Sequence, residues 1–223
     1  MNDAVLLQNC FAGSEYIHLI ELVFSRHARY CRFFKMDYRF EYSDILPDKP
    51  AGGDWGKIKM IERALEEYKY VIWMDSDAFI WNLSFDLRAA CEKPANVVLY
   101  DNPFLLPAVG VMYWRSCPES KQMVQQWLAT MPGKAPWWEQ GEFQDLMAAG
   151  QWRDEQWVGC LDTKWNHTDW ITQCESPIVL GFHGYAGVVP RMEQFRRYIN
   201  AWALPTGAGV ALPPLAMTTP APK

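Results

Sequence analysis

The chain has 223 residues, half of them hydrophobic and 15% aromatic, with 12 Trp against 10 Met. That content excludes disorder for most of the chain and suffices for one domain with a sizeable core. The net charge is −5, and without a long basic run it disfavours nucleic acid as a partner through a basic face. The six cysteines, Cys10, Cys31, Cys91, Cys117, Cys160 and Cys174, form no CxxC pair, so free thiols in a reducing compartment are expected. No run of about 18 apolar residues occurs, so no transmembrane segment is expected. No signal peptide precedes the first strand, and the expected location is cytoplasmic.

Val5-Leu6-Leu7 reads as a short buried strand ending at Gln8-Asn9. Ser14 can then cap a helix with Tyr16, Ile17, Ile20, Val23 and Phe24 at helical spacing. His18 and His27 fall in this helix and read as surface or packing residues. The stretch 30–36 reads as a second strand, completing a β-α-β unit of a parallel sheet. Pro and Gly make 43–56 loop-like, and Ile58, Ile61, Leu65 and Tyr68 stripe a helix over 57–68. The apolar run 70–74 suits a central strand buried on both faces. Strands are expected over 97–100 and 109–114. Helices are expected over 116–131, led by Pro118, and over 140–149. A late strand over 177–180 leads into Gly181-Phe182-His183-Gly184. Beyond Leu204 the Ala/Pro/Thr composition predicts a flexible tail over 204–223, leaving one α/β domain over 1–203.

Asp75-Ser76-Asp77 is the first feature with chemistry in it. A bare Asp-x-Asp is common by chance; one directly after five apolar residues is not. In extended chain, residues i and i+2 point the same way, so two carboxylates would converge. Adjacent anions repel unless a cation lies between them, and ligands of open α/β sheets bind beyond the strands' carboxyl ends. Capping of a turn by either Asp is the plainer alternative. Of the four His, His167 lies in a polar loop, whereas His183 ends a strand and precedes small residues that let a phosphate approach. Two carboxylates and an imidazole suit Mn²⁺, with Mg²⁺ as the alternative. A core histidine bonded to a carbonyl is the competing reading for His183.

Trp55-Gly56-Lys57, the helix after it and the run from Val71 through Asp75-Ser76-Asp77 to Asn82 resemble glycosyltransferase family 34. Ala108-Val109-Gly110-Val111-Met112, Glu139-Gln140 and His183-Gly184-Tyr185-Ala186-Gly187 extend the likeness in order, over roughly residues 5–200. The resemblance implies a GT-A fold: one Rossmann-like domain with a mixed, mostly parallel sheet flanked by helices. It implies a nucleotide-diphosphate sugar donor, UDP-sugar in preference to GDP-sugar, a saccharide acceptor, Mn²⁺ dependence and retention of configuration. Carried over residue by residue, Asp75, Asp77 and His183 would hold the metal. Asn9, Lys57, Asp75, Ser76, Gly184 and Gly187 would bind the donor. Glu139 and Gln140 would stand near the reacting carbon, with Glu142 one helical turn away as a reserve. The family often has Asp-Asp-Gln where this chain reads Trp138-Glu139-Gln140, and its usual membrane anchor and stem have no counterpart here.

Two other functions compete. Apolar-strand-then-Asp-x-Asp also opens haloacid-dehalogenase phosphatases, although there it lies near the chain start. An inactive, carbohydrate-binding relative would use the aromatics equally well. Trp137, Trp138, Trp165 and Trp170 lie in polar or irregular stretches and are expected to stack on acceptor sugars; packing within loops is the alternative.

Overall fold

The computed structural model describes residues 2–11, 14–43, 55–99, 106–131, 138–152, 156–168, 174–183 and 188–203. The expected tail over 204–223 and the site candidates Trp137, Trp170, Gly184 and Gly187 lie outside the described residues.

Strand β1 (Ala4–Phe11) opens the chain and leads to helix α1 (Ile17–Phe34). Ser14 stands at the entry to α1: its carbonyl accepts the Ile17 N–H, and its Oγ accepts the Tyr16 N–H at 3.2 Å. The helix does not stop where a strand was expected over 30–36. Tyr30 and Cys31 continue the buried stripe of Leu19, Ile20, Val23 and His27 at spacings of three and four, so the helical period governs. Lys35 ends the helix in the left-handed conformation, φ 54 and ψ 48. Strand β2 (Asp37–Ser43) begins only after that reversal.

Helix α2 (Trp55–Glu67) and strand β3 (Tyr70–Met74) follow as expected. Strand β4 (Ala78–Ile80) was not anticipated; three residues are too few for a periodicity signal. Strands β5 (Ala95–Leu99) and β6 (Pro107–Arg115) are followed by helices α3 (Pro118–Ala129) and α4 (Trp138–Ala148). Strand β7 (Val158–Leu161), strand β8 (Val179–Gly181) and helix α5 (Val188–Ala203) complete the described elements. Neither β7 nor α5 was anticipated from the sequence.

The main sheet has the order β2-β1-β3-β6-β5-β7. β1 pairs parallel with β2 and β3, and β5 with β7, while β6 runs antiparallel to both β3 and β5. The sheet is thus mixed and mostly parallel, as expected. Both faces are covered, which is why its central strands are continuously apolar. Val5, Leu7, Val71 and Trp73 face α2, α3 and α4; Leu6, Ile72 and Met74 pack on the opposite face with Tyr30 and Cys31 of α1.

A second sheet pairs β4 with β8 antiparallel, Ala78 opposite Gly181. It is held by Phe79, Phe182, Phe195 and Tyr198, which pack on Leu19 and Val23 of α1. Phe79 and Phe182 stack with ring centroids 5.9 Å apart and 7° between planes. Each such buried ring contributes roughly 1.5–3 kcal/mol, enough to fix a two-stranded sheet that would be marginal alone.

Candidate active site

β3 ends at Met74 and the chain turns at once. The Ala78 N–H donates to the Asp75 carbonyl at 3.1 Å, closing a four-residue turn. The Asp75 N–H donates to the Gly110 carbonyl of β6 at 2.7 Å. From β1, the Gln8 amide donates to the carbonyls of Asp75 (3.2 Å) and Ala78 (3.5 Å). The two carboxylates are therefore gathered by a turn, and not by the pleat of an extended strand. The β4–β8 pairing then supplies the histidine. Phe182 donates its N–H to the Asp77 carbonyl at 2.9 Å, and His183 is the next residue.

Ligand atoms of Asp75, Asp77 and His183, one from each, all lie within 4.8 Å of one another. His183 Nδ1 is 3.1 Å from Asp77 Oδ1, and Arg191 Nε of α5 is 3.1 Å from Asp77 Oδ2. Arg191 also donates to the Phe182 carbonyl at 3.1 Å and to the Tyr16 hydroxyl. On Asp75, Oδ1 accepts from Trp73 Nε1 at 2.7 Å and pairs with Lys57 Nζ at 3.1 Å. Burial, helped by the neighbouring Asp77 charge, raises the Asp75 carboxyl above its ordinary range, although Lys57 opposes this. Burial would raise Asp77 too, but the His183 imidazole and Arg191 outweigh it and hold Asp77 low. Burial pulls the His183 imidazole toward its neutral form; the Asp77 carboxylate overrides that and raises its pKa. Two convergent carboxylates, one reluctant to ionise beside the other, and an imidazole form a donor set that fits a divalent cation such as Mn²⁺.

The imidazole lies in a slot that only glycine leaves open. A Cβ on Gly110 would stand 2.3 Å from His183 Cε1, and one on Gly181 would stand 2.5 Å from His183 Nε2. The Gly181 position also lies 2.7 Å from Oδ1 of Asn166, whose side chain is fully buried.

Lys57 is 1% exposed and forms a bridge. Besides Asp75 it pairs with Glu139 Oε1 at 3.1 Å and donates to the Val109 carbonyl at 3.4 Å, with the Trp73 ring 5.6 Å away. The side chain expected to face a donor phosphate is thus enclosed between two carboxylates. Through it, Glu139 is brought beside the acidic pair. Glu139 and Gln140 fall in the first turn of α4; the Val109 N–H reaches Gln140 Oε1 at 3.5 Å. Trp127 of α3 anchors that turn, donating from Nε1 to the Glu139 carbonyl at 2.8 Å. Glu142 is half-buried on the same helix, Ser76 is half-buried within the Asp-x-Asp turn, and Asn9 is buried on β1.

Trp165 does not offer a sugar platform. It is buried, its ring meets Tyr113 edge-on at 5.6 Å, and its carbonyl accepts the Tyr113 hydroxyl at 2.6 Å, so packing claims it. Sequence reasoning missed Gln8, Asn166 and Arg191. Gln8 sits inside an apolar strand, which is a signal for a buried polar role. Arg191 lies on a helix that was not anticipated. Asn166 lies in a stretch without regular period.

Comparison with known proteins follows the same outline. Residues 4–107 match the model of the galactosyl transferase GMA12/MNN10 family. A probable xyloglucan 6-xylosyltransferase 3 of Arabidopsis thaliana is 28% identical over 118 residues, 48% of this chain and 25% of that protein. Galactomannan galactosyltransferase 1 of Cyamopsis tetragonoloba is 26% identical over 136 residues, 56% of this chain and 31% of that protein. The chain thus spans about a quarter to a third of the length of these plant relatives. Among solved structures, a glycosyltransferase involved in the glycosylation of the major capsid of PBCV-1 superposes with TM-score 0.68 at 14% identity, covering 88% of this chain and 98% of that one. The glycosyltransferase GlyE of Streptococcus pneumoniae TIGR4 gives 0.55 at 14% identity, covering 89% and 60%. The fold is that of the GT-A glycosyltransferases. The family match contains Asp75 and Asp77 and ends before Glu139 and His183, which the fold brings to them. Among the described residues, no helix is long and apolar enough to cross a membrane.

Proposed function

We propose that this relative of the galactosyl transferase GMA12/MNN10 family is a metal-dependent transferase. It moves a hexose or pentose from a nucleotide-diphosphate sugar, a UDP-sugar in preference to a GDP-sugar, to a saccharide acceptor with retention of configuration. The observation that carries this is the meeting of Asp75, Asp77 and His183 at the carboxyl end of β3, on a glycosyltransferase fold. Asp75, Asp77 and His183 would hold Mn²⁺, which stabilises negative charge on a leaving diphosphate as a Lewis acid.

The chain's own residues do the rest. Asn9 and Ser76 would bind the nucleotide side of the donor, and Gly184 and Gly187 its phosphates. Lys57 holds Asp75 and Glu139 in fixed relation, so the metal side and the sugar side move as one body. As positive charge develops at the anomeric carbon, the Glu139 carboxylate and Gln140 amide oxygen stabilise it, with Glu142 behind them. Trp137, Trp138 and Trp170 remain the acceptor candidates. A cytoplasmic setting belongs to the same proposal and is in keeping with the buried Cys31 and Cys91, which form no disulfide. The fold likeness takes support from the haloacid-dehalogenase alternative, and the intact trio from the inactive one.

The test is Mn²⁺-dependent release of nucleotide from UDP-sugars. Asp77→Ala and His183→Ala are expected to abolish turnover while the far-UV spectrum and melting remain cooperative. Wild-type turnover in either variant refutes the metal assignment.

A further inference from the structure

Asn166 is not used by the reading above, and its surroundings are unusual. It follows a short 3₁₀ turn, Thr163–Trp165, and its N–H donates to the Thr163 carbonyl at 3.2 Å. Its side chain is 0% exposed, yet neither Oδ1 nor Nδ2 has a hydrogen-bond partner among the described residues. A buried amide in that condition destabilises a fold, and native chains keep one chiefly where a site uses it.

Its aim is specific. The point where a Gly181 Cβ would stand is 2.7 Å from Asn166 Oδ1 and 2.5 Å from His183 Nε2. The other ring nitrogen, Nδ1, is the one that faces Asp77. The adjoining backbone fixes the approach. The His167 N–H donates to the Val179 carbonyl at 2.9 Å, and the Gly181 N–H donates to the His167 carbonyl at 2.8 Å. Asn166 is thereby clamped to β8 two residues from the imidazole it faces. A histidine that ligates a metal through one nitrogen commonly places its other N–H on an acceptor, which sets both tautomer and ring direction.

We propose that Asn166 is a positioning residue of the cation site: its Oδ1 accepts the Nε2–H of His183, and Nδ1 is thereby left with its electron pair directed to the side of Asp75 and Asp77. The bond would form across the space that Gly181 leaves free of a Cβ. The inference rests on Asp75, Asp77 and His183 being the cation's ligands.

The experiment titrates Mn²⁺ alone into the full chain by calorimetry, with no nucleotide-sugar. Asn166→Ala is expected to weaken Mn²⁺ binding about 10- to 100-fold. Asn166→Asp keeps an acceptor oxygen in place and stays close to wild type. In chelator, the melting temperature of Asn166→Ala reports on the fold apart from the metal. An asparagine of purely structural value gives lower melting with unchanged affinity, and overturns the proposal. So does a loss of affinity in Asn166→Asp as large as in Asn166→Ala. Should Asn166→Ala fail to fold, Asn166→Leu serves the same comparison with the branched shape conserved. Asp77→Ala and His183→Ala separate the two levels. If both bind Mn²⁺ normally, the ligand assignment falls and the proposal with it; if both lose it while Asn166→Ala does not, only the role of Asn166 falls.

Discussion

Gly110→Ala is the smallest change that tests how the site is built. The added methyl carbon would stand 2.3 Å from His183 Cε1, 2.7 Å from Nε2 and 3.0 Å from Nδ1. Carbon atoms in contact settle at about 3.5–4.0 Å, so the ring must withdraw by more than about 1 Å. Little room is left toward β8, because the empty Cβ position of Gly181 is 2.5 Å from Nε2 and the Gly181 Cα lies one bond from that point. Gly110 is also fixed from below, since its carbonyl accepts the Asp75 N–H at 2.7 Å. The imidazole therefore leaves the slot and takes Nδ1 away from Asp77. Overpacking of this kind costs about 1–3 kcal/mol in stability, and a ligand misplaced by about 1 Å costs on the order of 10²-fold in function. The assays are a chemical denaturation curve and a Mn²⁺ titration on the same preparation. A Gly110→Ala protein with wild-type Mn²⁺ affinity would refute the account of the slot, whatever its stability.

Two further outcomes follow from the buried charges. Lys57→Met leaves Asp75 and Glu139 without the cation between them, and loss of one partner from a buried ion pair costs about 3–5 kcal/mol; an unchanged denaturation midpoint would show the bridge to be idle. The imidazoles of His27 and His183 act on stability in opposite directions as pH changes. His27 is held down to about 3 by burial, with Arg26 adding to the effect, so the unfolded chain binds a proton that the folded one refuses. Stability is then lost as pH falls from about 6.5 toward 3, at about 1.4 kcal/mol per pH unit. His183 is raised, so its contribution is complete below about 6.5 and disappears as pH rises through its folded value. Denaturation of the metal-free chain across pH should fall off on both sides. His27→Gln should flatten the acid limb and His183→Gln the alkaline one, and limbs unaffected by these changes would contradict the assignment.

Much of the fold is written in local pattern. The run 70–74, buried on both faces, and the stripe from Ile58 to Leu65 each state their structure within one element. The misplaced second strand shows the limit. Tyr30 to Phe34 is aromatic enough for a strand, and only the spacing back to Val23 and His27 reveals the helix. The acidic pair was evident because two carboxylates after an apolar strand are unusual in themselves. What gathers it was not. The turn at Asp75, the Gln8 amide beneath it and the β4–β8 register depend on residues far apart in sequence. Gln8 is held in turn by His27 Nδ1 and the Tyr38 hydroxyl, each at 2.8 Å from its Oε1, so the turn is seated on a polar core that no single window contains. Trp165 erred for a related reason: its neighbours are polar along the chain and apolar in space.

The contact of Arg191 with Tyr16 and Asp77 has a bearing on how the molecule comes into being. Tyr16 and Arg191 are separated by 175 positions, nearly the whole length of the described chain. Contacts so distant in sequence form late, because the loop they close must first be drawn together. The acidic pair is complete once β3 and its turn exist, and Lys57 of α2 precedes it to meet Asp75, but the countercharges of Asp77 come from beyond β8 and from α5. Until that loop closes, Asp77 would stand without its countercharges at the end of an unfinished sheet. A divalent cation in the surrounding solution would meet that anion before Arg191 does, and refolding with and without Mn²⁺ would show whether it shortens the path.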